Sequence, residues 1–339
     1  MPKINLALQG GGAHGAFTWG ALDRLLDEPD IEIEGVSGTS AGALNGAALV
    51  SGFAEGGRAG AKHRLAALWC QLALVGIPFT MLLLPLRKPS LGMWDDGIPL
   101  VSPYAVNPLG MAPLRMVLGS LINESVLRNP AAPTLFVNAV SAQTGLNRVF
   151  KPGEVTIDAL LASACAPLVF QAIPIDGESY WDGSYGANPS LWPLFQGRKD
   201  VDVFLIELTP LHRPETPMSA KNILNRINEI ASINALKAEL REVIDINIQK
   251  ELVRLHVLSL PIEGYEMAME PSIKRSVGIE LFESLRQTGY AACDRWLQSN
   301  QKDLGVSGTM DMTPYLSERR SIDTLMENLS AGIVARGSK

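Results

Sequence analysis

The chain has few of the features that would staple, anchor or steer a protein by charge. Its three cysteines, Cys70, Cys165 and Cys293, are too few and too scattered for a disulfide framework and are odd in number, so they read as small buried residues in a reducing compartment. The most lipid-like segment, Gln71 to Leu86, is sixteen uncharged residues long and is split by Pro78 and Pro85. That falls short of the roughly twenty residues of a spanning helix, which argues against a transmembrane segment. Met1-Pro2-Lys3-Ile4-Asn5 enters an apolar strand pattern at once and leaves no room for a leader, so a cytoplasmic location is expected, peripheral at a membrane if residues 71–94 touch one. The net charge of −6 comes without an extended basic cluster, so nucleic acid is not expected as a partner. No His, Cys or carboxylate spacing suits a metal, and no cofactor is expected. Nothing in the pattern sets an oligomeric state.

What is present is two glycine-rich turns near the start. Gly10-Gly11-Gly12 follows the apolar run Ile4 to Leu8, and Gly38-Thr39-Ser40-Ala41-Gly42 follows Ile31 to Val36. Each leads into an alanine- and leucine-rich stretch without proline, which predicts strand, tight turn and helix twice over. Both turns then belong at the carboxyl edge of one parallel sheet, where α/β proteins keep their sites. The second turn fits Gly-x-Ser-x-Gly, in which a serine at a sharp bend is pushed out of the sheet. Ser40 is therefore a candidate nucleophile. The Ala41 amide, first in the following helix, points where an attacked carbonyl would gather charge.

Gly10, Gly11 and Gly12 leave a run of amides with no side chains above them, a nest for an anion and a second set of oxyanion donors. Gly10-x-Gly12-x-x-Gly15 also matches the dinucleotide fingerprint. That reading requires a ribose-binding carboxylate at the end of the second strand, which instead ends Val36-Ser37-Gly38, with Glu32 and Glu34 at its beginning.

An activated serine needs a base. The chain has four histidines, His14, His63, His212 and His256. A triad with histidine last would select His212, after the strand pattern Val201 to Glu207, or His256, which sits in an apolar alternation typical of a strand. A carboxylate competes with both. In Tyr180-Trp181-Asp182-Gly183-Ser184-Tyr185-Gly186, Asp182 stands where an aromatic strand ends and a glycine turn begins. Apolar neighbours such as Trp181 and Tyr185 would raise its pKa and let it take a serine proton, whereas the plainer role of an Asp-Gly turn is to bond its own backbone.

Taken together, Gly10-Gly11-Gly12-Ala13-His14-Gly15, Gly38-Thr39-Ser40-Ala41-Gly42 and Asp182-Gly183, in this order and context, resemble the patatin-like phospholipases. Leu160 to Pro167 looks like the helix that family carries ahead of its aspartate. The resemblance covers about the first two hundred residues. It implies a three-layer α/β/α fold with a mainly parallel central sheet, of the patatin-like, lysophospholipase-like kind with helical additions. It also implies a Ser-Asp dyad acting on acyl esters of lipids through an acyl-enzyme, with Ser40 the nucleophile, Asp182 the general base and Gly10 to Gly12 the oxyanion loop. Two positions depart from the family pattern. His14 stands where arginine or lysine is usual, so any cationic help depends on histidine protonation and fades near neutral pH. Ser184 stands where glycine or alanine is usual and is placed to change the loop or add a hydrogen bond to Asp182. The same chemistry would serve an acyltransferase, and a non-catalytic nucleotide-binding protein is the alternative of another class.

The remaining pattern predicts a catalytic core over 1–210 with an insertion at about 70–133, and a mainly helical extension over 211–339 that packs on it. Gln71 to Leu86 fits either a buried helix pair or a lid extended by Met93, Trp94, Met111 and Met116. Residues 92–133 read as loops and short helices before a strand at Thr134 to Val140. Ile223, Ile227, Ile230, Ile233, Leu236, Leu240 and Val243 predict an amphipathic helix from near Ser219 to Val253. A strand at Leu255 to Leu260, a helix near Ile279 to Ser299 and a last helix around Ser321 to Val334 follow.

Overall fold

The computed structural model describes residues 1–83, 102–209, 211, 216–218, 220–248, 252–261 and 278–315. Strands are β1 (Lys3–Leu8), β2 (Glu32–Gly38), β3 (Thr134–Ser141), β4 (Asn147–Phe150), β5 (Ile173–Ile175), β6 (Glu178–Asp182), β7 (Val201–Glu207) and β8 (Val253–Ser259). Helices are α1 (Gly15–Leu25), α2 (Ala41–Leu83), α3 (Pro103–Val106), α4 (Ala112–Leu121), α5 (Ile157–Ser163), α6 (Trp192–Phe195), α7 (Ala220–Ile248) and α8 (Ile279–Asn300). All the strands join one sheet, ordered β5-β6-β3-β2-β1-β7-β8, with β4 also paired to β3. The run β3-β2-β1-β7-β8 is parallel, while β4 and β6 lie antiparallel to β3 and β5 antiparallel to β6.

The alternation of strand side chains builds two apolar layers. Ile4, Leu6, Leu8, Phe204 and Ile206 face α1, α2, α5 and α8 on one side. Ala7, Val203 and Leu205 face α6 and α7 on the other. Both central faces are covered, which is why β1 and β7 read as nearly continuous apolar runs. The fold is thus α/β/α with a mainly parallel sheet.

β1 and β2 pair with Leu8 opposite Gly38, so the two glycine turns lie side by side at the carboxyl edge. α2 changes direction at Gly56 and Gly57, the latter with φ +61. The helix carries on through the first part of the Gln71 to Leu86 segment, where Ala73 is buried and Leu74 exposed. Residues 84–101, with Met93 and Trp94, lie outside the described residues, as do His212 and the helix expected at 321–334. No helix among the described residues is long and apolar enough to cross a membrane.

The long amphipathic helix ends earlier than its pattern suggests. α7 is described over Ala220–Ile248, and Val253 opens β8 instead of closing the helix. Asn247 accepts the Val253 amide at 2.7 Å and donates to its carbonyl at 3.0 Å. Val253 to Val257 then alternates in register with β7. The apolar stripe of α7 is also buried only in part. Ile233, Leu236, Leu240 and Val243 enter the core, whereas Ile223, Ile227 and Ile230 remain exposed among the described residues.

Candidate active site

The Gly-x-Ser-x-Gly turn folds as its composition requires. β2 ends at Gly38 and α2 begins at Ala41, leaving Thr39 and Ser40 to reverse the chain. Ser40 has φ +52, a left-handed conformation that a non-glycine residue adopts only when its surroundings impose it. Its amide donates to the Ser163 hydroxyl at 2.8 Å, and the Thr39 amide donates to the Leu8 carbonyl at 3.2 Å. A Cβ on Gly42 would come within 2.1 Å of the Leu8 carbonyl oxygen, and one on Gly38 within 2.6 Å of the Gly42 carbonyl oxygen. The flanking glycines exist because strand and helix backbones touch there.

Asp182 ends β6, pairs across from Ala139 and is buried. Its amide donates to the Cys165 carbonyl at 2.9 Å, and its Oδ1 accepts the Ser184 amide at 2.9 Å. Burial pushes its carboxyl above the ordinary aspartate range, while the Ser184 amide bonded to it and the nearby Ser184 and Ser40 hydroxyls pull the other way. The structure therefore places the Ser40 hydroxyl near the Asp182 carboxyl. The turn of α5 serves both: Ser163 holds the amide of one and Cys165 that of the other. Burial and the nearby Asp182 charge push the Cys165 thiol up to about 12, so it is a packing residue and not a nucleophile.

Tyr185 is held through its hydroxyl by a residue outside the Asp182 loop. It is 40% exposed, and its hydroxyl donates to Asn228 of α7 at 3.4 Å. Trp181, in contrast, packs against the larger core. Ser184 bonds Asp182 through its backbone amide, which any residue at this position would supply.

The glycine turn brings one unexpected partner. The Gly10 amide donates to Asn188 Oδ1 at 2.7 Å, so it is already engaged. The Gly11, Gly12 and Ala41 amides make no hydrogen bond among the described residues, and Gly10 packs so closely that a Cβ there would lie 2.8 Å from that of Ser40. His14 is buried at the end of the short helical turn Gly12–His14. His63 is exposed on α2. His256 lies on β8, three strands from β2, where its Nε2 meets Asp202 Oδ1 at 2.8 Å and its Nδ1 meets the Thr309 hydroxyl at 3.1 Å. It belongs to a different cluster.

Asn138 is a residue that sequence reasoning passed over. Its Oδ1 accepts the Thr39 hydroxyl, and its Nδ2 donates to the Gly183 carbonyl at 3.2 Å and the Ala187 carbonyl at 2.9 Å. A buried, polar asparagine in the otherwise apolar strand Thr134 to Ser141 was the available signal. Among the described residues no group of His, Cys, Asp and Glu could hold a metal.

A left-handed serine on a strand-to-helix bend, beside a buried carboxyl at the carboxyl edge of a mainly parallel sheet, defines a three-layer α/β protein with a serine-centred candidate site. Its sequence places it further: the family model described as patatin-like phospholipase matches residues 6–195, more than half of the chain, and the chain belongs to that family, whose members are hydrolases of lipid acyl esters. No curated protein matches its sequence closely enough to report. Among solved structures it is similar to VipD from Legionella pneumophila, at 14% identity and a TM-score of 0.40, over 87% of this chain and 67% of that one. It is also similar to the ExoU–SpcU heterodimer of the type III secretion system of Pseudomonas aeruginosa, at 18% identity and a TM-score of 0.33, over 99% of this chain and 63% of that one. This chain thus spans about two thirds of the length of each.

Proposed function

We propose that this protein is a serine acyl hydrolase of lipid esters, of the phospholipase A, lysophospholipase or esterase type, working through a Ser40–Asp182 dyad. The observation that carries this reading is geometric: a serine held left-handed on a strand-to-helix bend, with the buried carboxyl of Asp182 close enough for the Ser40 hydroxyl to act on its titration. A carboxylate is a weak base in water, and burial strengthens it for this task.

In this mechanism Asp182 takes the hydroxyl proton as Ser40 Oγ attacks the acyl carbonyl. The carbonyl oxygen becomes anionic and is held by the Gly11, Gly12 and Ala41 amides, helped by the positive end of α2. Collapse breaks the acyl–oxygen bond, and Asp182 passes its proton to the departing alcohol. Water then loses a proton to Asp182 as it attacks the acyl-Ser40 ester, the fatty acid leaves, and the proton returns to Ser40. An alcohol in place of water would give acyl transfer by the same steps. To the sequence segment 71–94, whose first sixteen residues are uncharged, we assign transient contact with lipid.

Hydrolysis of p-nitrophenyl esters of rising chain length and of a phospholipid panel, with competing alcohols present, tests the reading. Ser40→Ala and Asp182→Asn should each lose at least about a thousandfold in kcat. An Asp182→Asn variant with wild-type activity contradicts it.

A further inference from the structure

The family match ends at residue 195, yet a helix beyond it is joined to the glycine turn through Asn188. Asn188 is buried, at 1% exposure, where the chain leaves the Asp182 loop. Its Oδ1 accepts the Gly10 amide at 2.7 Å, and its Nδ2 donates to the Ser232 hydroxyl of α7 at 2.6 Å and lies 3.5 Å from the Gly10 carbonyl. A backbone N–H can only donate, so the Gly10 contact fixes which end of the side-chain amide is oxygen. The other end is then a donor, and Ser232 is the acceptor that holds it. α7 grips the same stretch again through Glu239, which accepts the Leu191 amide at 2.8 Å and the Trp192 amide at 3.2 Å.

We propose that Asn188 is the positioning residue of the oxyanion loop, and that Ser232 brings α7, an element outside the family match, into the site. Engaging Gly10 removes its amide from the set of oxyanion donors and fixes the direction in which the next two amides point. The donors that remain are Gly11, Gly12 and Ala41. Asn188 touches no reacting atom; it acts through the loop. The inference rests on the Ser40–Asp182 reading above and adds to it the origin of the loop's rigidity. Its physical basis is that oxyanion donors act by being fixed before charge develops, so a loop free to shift by about 1 Å loses a large part of its effect.

The test uses the full chain and a short p-nitrophenyl ester, with Asn188→Ala, Ser232→Ala, Ser232→Thr and the Asn188→Ala/Ser232→Ala double variant, each checked for folding by thermal unfolding. Asn188→Ala should lower kcat about ten- to a hundredfold with KM within about twofold. Ser232→Ala should lower kcat about three- to tenfold, Ser232→Thr should restore it, and the double variant should be no slower than Asn188→Ala, because both act through one chain of contacts. The rate of serine labelling by a fluorophosphonate, which also builds negative charge in the hole, should fall in parallel. A folded Asn188→Ala with unchanged kcat, or losses that multiply in the double variant, overturns the proposal. Should Asn188→Ala fail to fold, Ser232→Ala at wild-type kcat overturns it. Ser40→Ala is the control for the underlying reading: if it stays active, the dyad falls and this proposal with it, whereas an inactive Ser40→Ala beside a fully active Asn188→Ala removes only the proposal.

Discussion

The Thr39 hydroxyl donates to the side-chain oxygen of Asn138 at 2.5 Å, one residue before Ser40. The nitrogen of the same amide donates to the Gly183 carbonyl, one residue after Asp182. One side chain of β3 thus spans the two halves of the proposed dyad. Thr39→Val keeps the shape and removes the hydroxyl, leaving the buried Asn138 oxygen without its donor. We expect a loss of about 1–3 kcal/mol in stability and a fall in kcat, with Thr39→Ser close to wild type. Thermal unfolding and ester hydrolysis check both.

Ser163 accepts the amide of Ser40, a residue held in a left-handed conformation. Ser163→Ala deletes that restraint without touching Asp182 or the glycine turn. Acylation should slow about tenfold while the fold persists, measured as the rate of fluorophosphonate labelling.

The raised pKa of Asp182 has opposite consequences for activity and stability. As a base it must be ionised, so kcat should rise with pH through its raised value. Folding favours the protonated form, so the group's contribution to stability is complete below the unfolded aspartate pKa and is lost as pH rises through the folded one. Asp182→Asn, permanently neutral, should therefore abolish turnover and raise Tm near neutral pH. A lowered Tm contradicts this account of its burial.

Far from the site, Asp202 behaves in the reverse sense. Burial pushes its carboxyl up, but hydrogen bonds from His256, Arg254 and the Gly305 amide outweigh it and hold the group at about 2. Its stabilisation is present above the unfolded aspartate pKa of about 4 and is lost as pH falls through about 2. Asp202→Asn strands most of a buried ion pair with Arg254 and should cost about 3 kcal/mol, read by denaturant unfolding at neutral pH. Turnover by the folded fraction should stay near wild type.

Local patterns made much of this legible. β1, β2 and the bend at Ser40 follow from apolar runs ended by glycines, and Asp182 stands out because an aromatic strand stops at it. Contacts made at long range left weaker traces. Asn138, Ser163 and Asn188 reach their partners across gaps of 99, 123 and 178 residues, and no spacing rule joins them. Tyr185 shows the same limit: its neighbour in sequence is Asp182, but its hydroxyl answers to Asn228 on α7. The place of Val253 was hidden because it fits both the helical spacing and the strand alternation that follows, and its bonds to Asn247 and pairing with β7 decide between them.

The most direct measurement is labelling by a fluorophosphonate, located by peptide mass spectrometry, in the wild type and in Asp182→Asn. The account predicts one label per chain, on Ser40, at a rate that falls by orders of magnitude when Asp182 becomes asparagine. A label on another residue, or equal rates in the two proteins, would contradict it.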